Sequence, residues 1–136
     1  MPAKDKYHDV VIRALQKDGW TIVSDQVTVR VGDRRLWIDL EAHHQGRNII
    51  FVEVKSYDTA SSPIEFLKHS LGQYLLYRAI LDSINYSDSL YLAIPENADT
   101  EIMQTDIGQL VIDKYKLNIL VYRVEDEVIT KWIHNL

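Results

Sequence analysis

Apolar and polar positions along the chain change period several times, and each change marks an element. Between Asp5 and Gly19 the apolar residues Tyr7, Val11, Ala14 and Leu15 recur every three or four positions, the spacing of one helix face. Asp5 suits the N-cap and Gly19 the C′ position, so a first helix is expected between them. In "WTIVSDQVTVRV" the period falls to two, with Val27, Val29 and Val31 alternating with Thr28 and Arg30. This predicts one half-buried strand, or two with a bend. "GDRR" reads as a turn, "LWIDLEA" as the next strand and "HHQGR" as a turn carrying Gly46. "NIIFVEVKS" is apolar on both parities and is expected to be a central strand covered on both faces.

The clearest boundary is Ser62-Pro63-Ile64-Glu65. Serine at the N-cap, proline at the first helical position and glutamate at the third form a capping box, opening a helix expected to reach about Ser83. "SLYLAIP" is a strand stopped by Pro95, and "TEIMQTDIGQLVIDKYK" is mostly helical with a break expected at Gly108. "LNILVYR" and "EVITKWI" flank an Glu-Asp turn as a hairpin. Mixing of this kind predicts an α/β or α+β fold, a mixed sheet flanked by helices, with residues 1–136 forming a single domain.

Composition narrows the function classes. Of the 136 residues 46% are apolar and 26% charged, which excludes a disordered chain, and no apolar run is long enough to span a bilayer. The first residues lack the apolar core of a signal peptide, and cysteine is absent, so a cytoplasmic protein without disulfides or thiolate metal sites is expected. The net charge of -5 argues against tight nonspecific binding of nucleic acid by the monomer.

Candidate chemistry sits where two of these strands should end. Asp39 interrupts the apolar strand "LWIDLEA", and Glu53-Val54-Lys55 follows fourteen residues later. A carboxylate inside an apolar strand is costly unless it is paired or holds a metal. Asp39 and Glu53, from neighbouring strands, supply oxygen ligands for one hard divalent cation, Mg2+ or Mn2+, and the backbone carbonyl of Val54 is a further candidate. Lys55 shares a strand face with Glu53 and would stabilise charge on a phosphodiester. The plainer account of Glu53 and Lys55 is a same-face ion pair. On the following helix Gln73 and Tyr77 are four residues apart and share a face. Both are expected to face the Glu53–Lys55 end, with the Gln73 amide within hydrogen-bond range of that strand. His43-His44 lies in a polar turn, and Trp20, Trp37 and Trp132 read as core or interface anchors.

The pattern Asp39…Glu53-x-Lys55 within this element order resembles the PD-(D/E)XK, or restriction-endonuclease-like, nucleases. The added Gln73-x-x-x-Tyr77 resembles their RecB-type branch, although Ile38 stands where a proline usually precedes the first acid. That resemblance implies an αβββαβ core, with Asp39 and Glu53 as metal ligands, Lys55 as the catalytic lysine, and Gln73 and Tyr77 as accessory residues near DNA. It also makes His8 and Asp9 candidates for a first-helix contribution. A closer resemblance runs from end to end. "MPAKDKYHDVVIRALQKDGWTI", "VEVKS", "LGQYLLYRAIL", "LYLAIP" and "IGQLVID" are similar to the XisH family, the fdxN element excision controlling factors. It implies a role in programmed DNA rearrangement beside a site-specific recombinase and an XisI-like factor.

Two functions follow as expectations. One is a magnesium-dependent DNA endonuclease. The other is a non-catalytic regulatory module that uses the nuclease fold to hold a recombinase, an XisI-like partner or a DNA end. A homodimer is the default assembly.

Overall fold

The computed structural model describes residues 4–45, 48–58, 62–86 and 89–134; the expected turn residue Gly46 lies outside them. The elements run α1 (His8–Lys17), β1 (Thr21–Ser24), β2 (Val27–Val31), β3 (Arg34–Ile38), β4 (Leu40–His44), β5 (Asn48–Val54), α2 (Pro63–Asp82), β6 (Leu90–Pro95), α3 (Glu96–Ala98), a π-helical turn (Asp99–Met103), α4 (Asp106–Tyr115), β7 (Ile119–Arg123) and β8 (Val128–Ile133). Strands β1, β4, β5, β6, β7 and β8 form, in that order, a six-stranded sheet, while β2 and β3 pair in a separate hairpin. The β5–β6 and β6–β7 pairs are parallel and the other pairs antiparallel. This is the expected α+β mixture of a mixed sheet with helices.

Alternation along the parallel strands divides the core into two layers. Phe51, Leu92, Ile94, Ile119 and Val121 face a cluster shared with Leu67, Tyr74 and Ile112 of α2 and α4. Val52, Val54, Ala93, Leu120 and Tyr122 face Val11 and Leu15 of α1. Both crossovers, β5–α2–β6 and β6–α4–β7, step in one direction across the sheet. Crossovers of a single hand therefore place α2 and α4 on one face, and α1 covers the other. Glu53, which shares its parity with Phe51, is thereby directed to the α2 side.

Several boundaries depart from the sequence pattern. Five strands, not three, separate α1 from α2. "LWIDLEA" breaks at Asp39, where the chain passes from the hairpin into the main sheet. His43 and His44 belong to β4 rather than to a turn. The first helix begins at His8 with Tyr7 at its N-cap, and Asp5 instead accepts the Tyr7 N–H in the preceding turn (2.9 Å). Ser62 caps α2 as expected, accepting from Glu65 N–H at 3.4 Å. The break in the third helical segment falls at Gln104–Thr105, not at Gly108, which lies inside α4.

Gly108 has a different role. A Cβ there would lie 2.2 Å from the Ile102 carbonyl oxygen and 2.5 Å from that of Met103. Only glycine lets α4 start against the end of the π-helical turn, where Thr105 caps it. Gly108→Ala is expected to destabilise the protein by about 1–3 kcal/mol or more, because the clash is with backbone that has no room to move. Urea unfolding checks this; an unchanged midpoint would show that α4 shifts without cost.

Candidate functional site

The site forms where the antiparallel ladder between β4 and β5 ends. Its last pair is Leu40 with Val52. Beyond it, carboxylates replace backbone partners. Val54 N–H donates to Asp39 Oδ2 at 2.8 Å, and Asp39 N–H donates to Glu53 Oε1 at 3.1 Å. Each acid thus satisfies a peptide group on the other strand that the ladder has left open. The exchange brings Asp39 and Glu53 together, as their spacing predicts, and sets the Val54 peptide beside the Asp39 carboxylate.

Burial and proximity change the chemistry of both acids. Glu53 is only 4% exposed. Desolvation first, and the Asp39 charge second, push its carboxyl up to about 8. Asp39 is also raised, chiefly by burial, although the Val54 N–H and the charges of His8 and Lys55 oppose the shift. Two anions therefore do not coexist comfortably here at neutral pH without a compensating cation. Lys55 lies near enough to favour both ionised acids. Among the described residues, however, no ion pair within 4.0 Å joins it to Glu53. The same-face ion pair does not account for the motif.

The backbone of Lys55 is held at both ends. Its N–H donates to the Ala93 carbonyl at 2.9 Å, and its carbonyl accepts from the Tyr122 hydroxyl at 2.7 Å. Asp5 Oδ2 accepts from both the N–H and Oγ of Ser56, at 3.0 and 3.1 Å. Tyr57 donates to Glu101 of the π-helical turn at 3.0 Å. Three consecutive residues beyond β5 are thus fixed by four other segments of the chain. Asp5, Ser56, Glu101 and Tyr122 were missed in the sequence because their partners are far away in the chain, and Asp5 resembled an ordinary helix cap.

The accessory candidates divide. The Tyr77 hydroxyl is raised by burial and then by the charges of Glu53 and Asp39, so it lies within their field. Gln73 makes no hydrogen bond to β5 among the described residues, contrary to expectation, and its Oε1 is buried without a partner. His8 is 2% exposed, and neither ring nitrogen has a partner. Its charge is felt at Asp39, whereas Asp9 is exposed on the helix. Among the described residues no three His, Asp or Glu side chains group as metal ligands.

Comparison with known proteins decides the family. The chain matches the XisH protein family over residues 1–130. It belongs to the XisH family. A crystal structure of an fdxN element excision controlling factor protein from Anabaena variabilis is 40% identical, with a TM-score of 0.87 over 96% of this chain and 99% of that one. An XisH family protein from Nostoc punctiforme is 39% identical, with a TM-score of 0.86 over 95% and 99%. A Silicibacter pomeroyi protein of unknown function, 14% identical with a TM-score of 0.53, shares the fold alone. No curated protein matches the chain.

Two of the three tryptophans of this XisH chain lie elsewhere. Trp20 and Trp132 pack against the α1-side core with centroids 5.8 Å apart. With His44, Tyr86, Tyr91 and His134 they line a cavity of about 850 Å³. That cavity opens at the Asn48 end of β5, opposite Glu53.

The raised Glu53 carboxyl makes stability depend on pH. The unfolded group titrates near 4.5 and the folded one near 8, so the folded state binds the proton more tightly. Its contribution is fully present below about pH 4.5 and is lost as pH rises through 8. Glu53→Gln keeps an acceptor for Asp39 N–H without the charge. In chelator, its melting temperature should rise relative to wild type between pH 6 and pH 9. Parallel melting curves across that range would show that Glu53 titrates normally.

Proposed function

We propose that this XisH chain is a metal-dependent DNA-processing protein acting in the control of programmed DNA excision. The observation that carries the reading is the reciprocal hydrogen-bond exchange that holds the Asp39 and Glu53 carboxylates at one strand end. Asp39, Glu53 and the Val54 backbone carbonyl would hold Mg2+ or Mn2+. Magnesium commonly binds through one or two carboxylates and keeps several waters. The donor chemistry fits, since all three ligands are hard oxygens and, among the described residues, neither acid has an ion-pair partner within 4.0 Å. A bound cation would activate water and neutralise charge on a phosphodiester.

The chain's own residues have separate roles in this reading. Lys55, with its backbone fixed by Ala93 and Tyr122, places an ammonium beside the acids to stabilise charge on the phosphate. Tyr77, and Gln73 one turn before it on α2, offer a hydroxyl and an unsatisfied amide to the substrate. His8, buried without a partner, is an accessory donor. The motif Asp39…Glu53-x-Lys55 resembles that of the restriction-endonuclease-like nucleases, which supports the reading. The Anabaena variabilis relative, named as an excision controlling factor, supports the biological role. An XisI-like factor and a site-specific recombinase are the partners that role implies.

Thermal melting across a manganese titration tests the reading, because a ligand bound only by the folded state raises the melting temperature. Wild type is expected to gain several degrees at millimolar metal. Asp39→Asn and Glu53→Gln should fold but lose the gain. Lys55→Ala should keep the gain and lose cleavage of duplex or branched DNA. No metal-induced shift in wild type, with or without DNA, would leave a non-catalytic binding module as the function.

A further inference from the structure

The β2–β3 hairpin stands outside the main sheet and leads directly into Asp39. Its inner face is explained by packing. Val27 and Val29 lie against the α2-side core and Ile38 is part of it. Val27 pairs with Ile38 and Val29 with Leu36, so those residues share that face. Val31 with Arg34 continues that face at the turn end, and the outer face carries the other two of the five pairs, Thr28 with Trp37 and Arg30 with Arg35.

That outer face has no evident structural purpose. Arg30 and Arg35 are exposed and directly opposite one another, and like charges so placed destabilise a ribbon. Among the described residues neither has an anion within 4.0 Å. Two cations of α2 are engaged instead: Lys68 pairs with Glu65 at 3.2 Å, and Arg78 donates to the Tyr115 carbonyl. Trp37 is half-buried and belongs to neither core cluster, unlike Trp20 and Trp132. A chain of net charge -5 thus keeps two facing, unpaired arginines and a partly open indole on one ribbon.

We propose that the outer face of this hairpin binds single-stranded DNA, with Arg30 and Arg35 on successive phosphates and a base stacked on Trp37, leading the strand to Asp39. This rests on the reading of the chain as DNA-processing. A strand rises about 3.3 Å per residue, so Arg35 stands roughly 13 Å along the chain from Asp39, a reach of a few nucleotides. The face suits a single strand better than a duplex. Typical duplex grips neutralise about 6–10 phosphates, more than this ribbon can meet. A few cations combined with an aromatic platform are the usual means of holding an unpaired strand.

Fluorescence anisotropy in chelator tests this without metal or cleavage, using a labelled oligothymidylate of about twelve nucleotides and a duplex of equal length. The single strand should bind more tightly than the duplex. The double variant Arg30→Gln/Arg35→Gln should bind it roughly tenfold or more weakly. The slope of log affinity against log salt should become shallower by about 1.4, at about 0.7 per lost phosphate contact on a single strand. Trp37→Leu should weaken binding roughly tenfold and abolish the part of the tryptophan quenching that comes from stacking. The arginine variant should melt no lower than wild type, since it removes a repulsive pair, and should keep the manganese-induced shift. Unchanged affinity and salt slope in that variant, a preference for duplex, or no binding of the strand by wild type would each overturn the proposal. If arginine-dependent binding persists while wild type shows neither a metal shift nor cleavage, the metal-dependent reading fails and the hairpin surface stands.

Discussion

The site depends on a ladder that stops early. Where β4 gives way to the β2–β3 hairpin, two backbone N–H groups lose their strand partners, and the carboxylates of Asp39 and Glu53 take their place. Replacing backbone carbonyls with acids satisfies the peptide groups but confines two carboxylates in a region that is largely dry. Glu53 responds by holding its proton far more tightly than a free glutamate. The local arrangement is therefore unfavourable as a purely structural device, since two amides or a longer ladder would serve the same hydrogen bonds at lower cost. Such a conflict between stability and local chemistry is characteristic of functional sites.

The rest of the fold holds this strand end in place. Tyr122 from β7 fixes the Lys55 carbonyl, Asp5 from the N-terminal turn fixes Ser56, and Glu101 from the π-helical turn fixes Tyr57. The close start of α4, which Gly108 makes sterically feasible, holds the π-helical turn against the body of the protein. Two core layers meet at the sheet, and the acids lie where both layers end. Contributions from α1 and from α2 reach them from opposite faces, since Asp39 feels the charge of His8 and Tyr77 feels the charges of both acids.

The β2–β3 hairpin adds a second environment to the same chain segment. Within four residues the sequence passes from an exposed arginine at 35, through a half-buried tryptophan at 37, to a carboxylate tied into the main sheet at 39. Positive and negative groups are thereby separated along one ribbon rather than neutralised in ion pairs. A strongly negative chain can in this way present a local cationic surface next to an acidic centre.

The sequence alone determined much of this. The apolar pattern of "NIIFVEV" on both parities required a strand covered on both faces, and Ser62-Pro63-x-Glu65 fixed the start of α2, because these signals act over a few residues. The spacing of Asp39, Glu53 and Lys55 pointed to one strand end, since alternation along a strand is local geometry. The break at Asp39 was not legible, because "LWIDLEA" is apolar enough to continue and only the competition between two sheets divides it. The unpaired state of His8 and the missing bond of Gln73 were hidden likewise, as was the second role of Asp5. Tertiary structure decided these features because hydrogen-bond satisfaction and charge coupling depend on groups that meet only after the chain has folded.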